Sequence, residues 1–178
     1  MNLIALTADL RCVASWRGMV SAFDLETELG AVVDAFAQHQ VPYALCDGLA
    51  LAVHGLPRAT KDIDFLVDAG DVERAFESLK RAGFTLRAGP LPLGVGTANP
   101  VRVFRATKVV ATSHLTVDLL EVSPANAEAW SGKMTVEWQG RRLSVVSRAG
   151  LILMKSRSTR LKDRADVELL QEETGSDE

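Results

Sequence analysis

Apolar residues recur along this chain at two spacings, and the wider spacing predicts helices. Behind Asp24, apolar side chains recur every three or four residues up to about Gln38, which predicts a helix with that aspartate as its N-cap. The same spacing follows Asp71, and Gly83 stands where a helix C-cap glycine is expected. Further helices are predicted at 49–53, 148–157 and 162–172.

Shorter apolar or alternating runs predict strands. The clearest strand runs from Asp62 to Val67, and a short apolar run predicts a buried strand at 41–46. The β-branched content of 101–106 and 115–122 favours further strands there. Two alternating runs between 134 and 146 flank Gly140 and predict a hairpin. The segment 89–100 holds three glycines and three prolines, which predicts a surface loop rather than a regular element.

The order of these elements predicts a single α/β (α+β) domain over 21–172, preceded by an N-terminal appendage at 1–20 and followed by an acidic tail at 173–178. With 178 residues, 47% of them hydrophobic, the chain can bury a core without a disulfide or a structural metal. No apolar run is long enough for a membrane span, and the start lacks the basic leader of a signal peptide. We therefore expect a protein that does not use a membrane. Its two cysteines are too few for a disulfide scaffold, which favours a reduced, cytoplasmic setting.

The net charge of −3 conceals an uneven distribution along the chain. Residues 141–164 carry eight basic groups and one acidic group, whereas 165–178 carry six acidic groups and no basic ones. Such a basic segment could dock a polyanion such as RNA. Charge alone equally favours a solvated helix face that the acidic tail neutralises.

Three aspartates in strand context form the strongest chemical pattern. Asp62 and Asp64 are two residues apart in a predicted strand, so their side chains should leave the same face about 7 Å apart. Asp118 stands among apolar neighbours in a later predicted strand and needs a partner there. A divalent cation such as Mg²⁺, held together with substrate phosphates, would offset the repulsion of such a set. Alternatively, Asp62 caps a turn, Asp64 faces water and Asp118 pairs with an arginine.

Upstream of this pair, Gly48 follows a predicted strand and opens a short helix. Backbone N–H groups at such a turn can bind a phosphate, although many glycines at strand-to-helix turns merely permit the tight turn.

The run from Asp47 to Asp64, DGLALAVHGLPRATKDID, resembles the signature of the nucleotidyltransferase superfamily of the DNA polymerase beta type. It is most similar to the small bacterial branch that includes nucleotidyltransferases of abortive-infection and toxin–antitoxin systems. The resemblance implies a mixed-sheet nucleotidyltransferase-like core flanked by helices, with a C-terminal helical segment. It also implies that Gly48 opens a helix against the triphosphate, and that Asp62, Asp64 and Asp118 bind Mg²⁺ and carry the catalysis.

The segment from Lys155 to Asp166 resembles the last motif of that branch, where a helical lysine faces the nucleotide phosphates. The resemblance therefore implies that Lys155 binds the nucleotide. Separately, the chemistry of nucleotide transfer needs positive charge near the departing pyrophosphate, which Arg58, Lys61 or Lys155 could supply. The substrate would be a nucleoside triphosphate (NTP), the acceptor RNA or protein, and the partner a cognate protein of a toxin–antitoxin pair.

One position departs from the family pattern. Asp47 stands where the family has its first glycine, and a carboxylate beside a triphosphate would repel it. We expect this aspartate to cap the following helix instead. The departure leaves one alternative open, a catalytically degenerate chain with this fold that binds a partner or a nucleotide. A further alternative is a metal-dependent phosphohydrolase that uses the same carboxylates.

Other reactive residues predict little chemistry. His54 ends an apolar helix and is expected to pack, and Cys46 in an apolar strand is expected to be a small buried hydrophobe.

Overall fold

The computed structural model describes residues 23–93, 100–158 and 160–172. Its helices are α1 (Leu25–Gln38), α2 (Asp47–Val53), α3 (Val72–Arg81), α4 (Ala127–Ser131), α5 (Arg148–Ser156) and α6 (Leu161–Glu172). Its strands are β1 (Ala44–Cys46), β2 (Asp62–Val67), β3 (Leu86–Leu93), β4 (Val101–Val110), β5 (Ser113–Glu121), β6 (Met134–Trp138) and β7 (Arg141–Val145). The predicted appendage and acidic tail lie outside the described residues.

The strands form one mixed sheet in the order β3-β4-β5-β2-β1-β7-β6. The β2 strand lies inside the sheet, parallel to β5 on one side and antiparallel to β1 on the other. Helices and strands of this mixed sheet share one apolar core. The predicted α+β class and mixed sheet are therefore confirmed.

The core is built where α1, β1 and β2 meet. Phe36 of α1 lies 5.2 Å from the ring of Phe65 in β2, and Tyr43 contacts both rings at 5.3 Å. Edge-to-face and tilted contacts of this kind are favoured geometries for aromatic rings and stabilise the packing of α1 on the sheet. The α1 helix begins as predicted, since the Asp24 side chain accepts a hydrogen bond from the backbone N–H of Thr27.

One predicted loop is partly a strand. The β3 strand runs through residues 89–93, which the sequence assigned to an irregular loop, and pairs with β4 across a bulge between Ala88 and Leu91. Gly89 has φ +116°, and a Cβ there would lie 2.8 Å from the carbonyl oxygen of Val103. Gly89 therefore permits β3 and β4 to approach closely. The glycine and proline content of the segment had instead suggested a loop. Residues 94–99 of that predicted loop lie outside the described residues.

The other predicted elements are present with shifted bounds. The β4 and β5 strands are longer than their apolar runs, the hairpin of β6 and β7 turns at Gly140 with φ +72°, and α4 is an addition. None of the helices in the described ranges is long and apolar enough to cross a membrane.

Candidate active site

The three predicted carboxylates lie on one face of two neighbouring strands. Asp64 of β2 is in register with Asp118 of the parallel strand β5. Asp62 precedes Asp64 by two residues in the same strand, and residues two apart share a face. The structure thus brings together the set that the sequence proposed from two separate segments.

Asp64 is a carboxylate of this set whose negative charge has no paired cation among the described residues. Burial raises its pKa well above the ordinary value, and the charges of Asp47, Asp62 and Asp118 raise it further, while Lys162 opposes them. Within the described residues, its side chain makes no hydrogen bond and no ion pair. A half-buried carboxylate among other carboxylates is a place where a cation would be strongly favoured.

Asp118 already has a partner, as the alternative interpretation of the sequence foresaw. Its two oxygens accept hydrogen bonds from Nε and Nη2 of Arg105, at 2.8 and 2.7 Å. Arg105 lies directly opposite Asp118 in β4, and the carboxylate is only 7% exposed. This bidentate pair fixes the orientation of the carboxylate. The sequence did not single out Arg105, because the register of β4 on β5 decides that the two residues meet.

Asp62 and Gly48 are linked through Thr60. The Thr60 hydroxyl donates to Asp62 Oδ1 at 3.0 Å, and the same side chain packs against the start of α2. A Cβ on Gly48 would lie 2.8 Å from the Cβ of Thr60 and 2.9 Å from its hydroxyl oxygen. Gly48 is therefore required for close packing of α2 on the segment that orients Asp62, which is a structural reason independent of any phosphate.

Asp47 does not cap α2, contrary to the expectation from the sequence. Cys46 occupies the N-cap position, and Asp47 is the first residue of the helix, with φ +51°. Its carboxylate oxygen Oδ1 instead accepts hydrogen bonds from Arg58 Nη2, at 2.6 Å, and from Lys155 Nζ. Although burial by itself raises the pKa of Asp47, the two cations outweigh it and lower the pKa below its usual value.

Lys155 is enclosed by carboxylates. Its ammonium group contacts Asp47, lies 3.3 Å from Asp163 and forms an ion pair with Asp166 at 2.8 Å. Burial alone would lower the pKa of Lys155, but these carboxylates raise it. The lysine that resemblance assigned to the phosphates is thus engaged with side chains of the protein itself.

Two arginines complete this network. Arg58 Nε lies 3.3 Å from Asp166 Oδ1, and Arg160 Nε lies 2.8 Å from Asp163 Oδ2. We call the six residues the Lys155 network; its members are Asp47, Arg58, Lys155, Arg160, Asp163 and Asp166. Three positive and three negative groups balance one another.

The Lys155 network includes the acidic triad with the closest spacing. Among the described residues, the oxygens of Asp47, Asp163 and Asp166 all lie within 4.8 Å of one another, a spacing that can hold a metal ion. Lys155 lies among them and supplies the positive charge that an ion would otherwise supply. Asp62 and Asp64 therefore fit an added cation better, because no cationic side chain pairs with Asp64 in the described part of the chain.

Other cations are dispersed. Lys61, next to Asp62, and Lys162, whose charge acts on Asp47 and Asp64, are both exposed. The basic segment 141–164 does not form one free face, because Arg141 pairs with Asp34 at 2.8 Å and Lys155 is buried.

The remaining candidates pack as expected. His54 Nε2 lies 2.9 Å from the Val146 carbonyl oxygen, and Cys46 is fully buried opposite Asp64. Burial raises the pKa of the Cys46 thiol well above its usual value, so it is a poor nucleophile.

Comparison with known proteins finds similarity in structure rather than in sequence. No protein-family model matches the chain, and no curated protein matches its sequence. The crystal structure of ANT(2″)-Ia in complex with adenylyl-2″-tobramycin is similar with a TM-score of 0.55 and 15% identity, covering 84% of this chain and 88% of that one.

A candidate nucleotidyltransferase from Thermotoga maritima, TM1012, is similar with a TM-score of 0.51 and 16% identity, covering 88% of this chain and 96% of that one. Both similarities extend over most of both chains, so they concern the whole domain and not one motif. The chain therefore has the fold of the nucleotidyltransferases, as the run from Asp47 to Asp64 predicted.

Proposed function

We propose that this chain is an Mg²⁺-dependent nucleotidyltransferase that moves a nucleotide from an NTP onto RNA or protein. The observation that carries the proposal is the half-buried Asp64, which has no cationic partner among the described residues and lies beside Asp62 and in register with Asp118. The nucleotidyltransferase fold of the structural neighbours supports transfer of a nucleotide in general.

In the proposed reaction, an acceptor hydroxyl oxygen forms a bond to the α-phosphorus, and the bond from that phosphorus to the bridging oxygen of pyrophosphate breaks. Asp62 and Asp64 would hold Mg²⁺ with Asp118 beside them, and the ion when bound neutralises the triphosphate and favours in-line attack. The Asp118 carboxylate would accept the hydroxyl proton, and Arg105 fixes its orientation through two hydrogen bonds.

Four residues are proposed to contact the nucleotide: Gly48, Arg58, Lys61 and Lys155. Lys61 is exposed and next to Asp62 in the sequence, and it is proposed as a cation for the phosphates on that ground. Arg58 and Lys155 are paired with Asp47 and must exchange that carboxylate for a phosphate. Resemblance to the bacterial branch extends the proposal to a role in a toxin–antitoxin or abortive-infection system with a cognate partner protein.

One observation favours a second candidate, a chain with this fold that binds a nucleotide or a partner but does not catalyse. The Lys155 network is electrically balanced without a substrate, so two of the proposed nucleotide cations are already satisfied. Such a protein would lack transfer activity whatever its affinity for NTP.

The test is incubation with each labelled NTP, Mg²⁺, total RNA and total protein, followed by identification of the labelled macromolecule. We expect label transfer by the natural chain and its loss in Asp64→Asn, which removes the unpaired charge but keeps the size of the side chain. Asp34→Asn is the matched control, because Asp34 pairs with Arg141 away from the three carboxylates. It should transfer label like the natural chain.

The outcomes separate the hypotheses. Equal transfer by Asp64→Asn and the natural chain would overturn the catalytic assignment. Binding of NTP without transfer would identify the non-catalytic candidate, and release of inorganic phosphate without a labelled acceptor would identify a phosphohydrolase.

A further inference from the structure

The Lys155 network reaches solvent at Arg160, whose side chain is 60% exposed, and at the ion pair of Asp47 with Arg58. The side chains of Asp47 and Arg58 are each 25% exposed, whereas those of Lys155, Asp163 and Asp166 are 6% exposed or less. An anion that approaches this network from solvent therefore meets the Asp47 carboxylate before it meets the lysine.

The Asp47 carboxylate is held by charge at a backbone position that disfavours it. A φ of +51° is the left-handed region, which is unfavourable for a non-glycine residue, although aspartate tolerates it better than most residues. The side chain is directed at Arg58 and Lys155, and both donate to the same atom, Oδ1. One carboxylate oxygen thus accepts hydrogen bonds from both cations.

We propose that Asp47 is a resident anion that the triphosphate must displace from Arg58 and Lys155, so that it sets the affinity for the phosphates. This inference rests on the proposed function, since it takes these two cations as phosphate ligands. Removing the Asp47 charge leaves three cations against Asp163 and Asp166, a net positive site beside the start of α2. With the charge present, the same groups are neutral and attract a polyanion less.

The alternative is a structural role, in which the Asp47 carboxylate positions α2 and its removal weakens binding of the phosphates. The two roles predict opposite signs for one substitution. Asp47→Asn keeps an oxygen that can accept from both donors and tolerates the left-handed backbone, so it removes the charge with little change in shape.

The test is calorimetric titration with inorganic tripolyphosphate, a probe that carries the phosphates without a base. We expect Asp47→Asn to bind it roughly 10-fold more tightly than the natural chain, a change of about 1.4 kcal/mol. Asp47→Gly, which suits φ +51° and lacks the carboxylate, should also bind more tightly and provides a second variant if the first does not fold. Asp34→Asn should leave the affinity unchanged.

A double substitution identifies the cation that is released. In Asp47→Asn with Arg58→Gln, the gain should largely disappear, because the freed guanidinium supplies it. Equal or weaker binding by both Asp47 variants, including no binding by any form, would overturn the inference. Tighter binding by the variants together with no nucleotide transfer by the natural chain would support the inference and refute the proposed activity.

Discussion

Gly48 shows how a single residue can be constrained by a segment outside its own helix. The strand-to-helix turn that contains it made a phosphate contact plausible from the sequence. The structure adds a second demand, since the side chain of Thr60 fills the space in which a Cβ would lie. Gly48 and Thr60 are 12 positions apart in the sequence, and that separation alone does not predict that they touch.

We expect Gly48→Ala to destabilise the fold by about 1–3 kcal/mol, because overpacking a buried contact forces the neighbouring backbone to shift. The added Cβ would lie 2.8 Å from the Cβ of Thr60. The midpoint of urea unfolding measures the change in the free energy of unfolding.

A glycine with ordinary space around it is the control. At Gly70 the nearest atom to an added Cβ is Asp68 Oδ1 at 3.7 Å, so Gly70→Ala should have little effect. Replacing Thr60 by glycine in the Gly48→Ala background should recover part of the lost free energy. A Gly48→Ala variant as stable as the natural chain would show that the packing argument is wrong.

Among elements, α5 and α6 are joined to α2 by charge as well as by apolar contacts. Lys155 of α5 is 5% exposed, and its partners Asp163 and Asp166 of α6 are 1% and 4% exposed. Burial raises the pKa of Asp163, but hydrogen bonding by Ser158 and the charges of Lys155 and Arg160 outweigh it, so the pKa is lowered. Because the folded pKa is depressed, this contribution to stability is present above pH 3.8 and is lost as the pH falls below it.

Lys155→Met should destabilise the fold by about 3–5 kcal/mol at neutral pH, because it leaves buried carboxylates without their shared cation. The deficit should shrink as the pH is lowered toward about 4, because without the charge of Lys155 the pKa values of Asp47 and Asp163 are no longer held down and these carboxylates can take up protons. Urea unfolding at several pH values measures both effects.

The control for this prediction is Lys80→Met, which makes the same change at an exposed position of α3. It should alter the free energy of unfolding little at any of these pH values. If Lys155→Met matched it, the network would contribute nothing measurable to the docking of α5 and α6.

At the scale of the molecule, the sheet order places β2 between β5 and β1, so the three carboxylates lie on inner strands of the sheet rather than on an edge strand. That position makes Asp64 costly to ionise, since burial and three neighbouring carboxylates raise its pKa. The folded state then keeps a proton that the unfolded chain has already released. Stability therefore falls as the pH rises from the ordinary value of 3.8 through the raised value.

We expect Asp64→Asn in buffer with EDTA to be more stable than the natural chain at neutral pH, and to approach it at about pH 4. Added Mg²⁺ should raise the melting temperature of the natural chain but not that of the variant, because only the former binds the ion in the folded state. Melting curves with EDTA and with Mg²⁺ provide the measurement. An equal response of the two proteins to Mg²⁺ would place the ion elsewhere.

Much of the fold follows from local pattern, because helix and strand periods report which residues are buried. The bounds of β2, the start of α1 at Asp24 and the turn at Gly140 were predictable for that reason. The strand at 89–93 was not predictable, because a glycine that permits two strands to approach closely looks the same in the sequence as a glycine in a loop. The predicted domain bounds at 20 and 173 remain predictions.

By itself, the sequence determined that Asp62 and Asp64 share a face, because the period of a strand is two, and that the chain has a nucleotidyltransferase-like core. Only the tertiary structure decided the partners of the site's charged groups. It paired Asp118 with Arg105 through the register of β4 on β5, and it brought Asp47 to Lys155 across 108 positions of the chain. The partner of each charged side chain depends on which helices and strands pack together. That packing is decided by the whole apolar core, and not by the charged residues themselves.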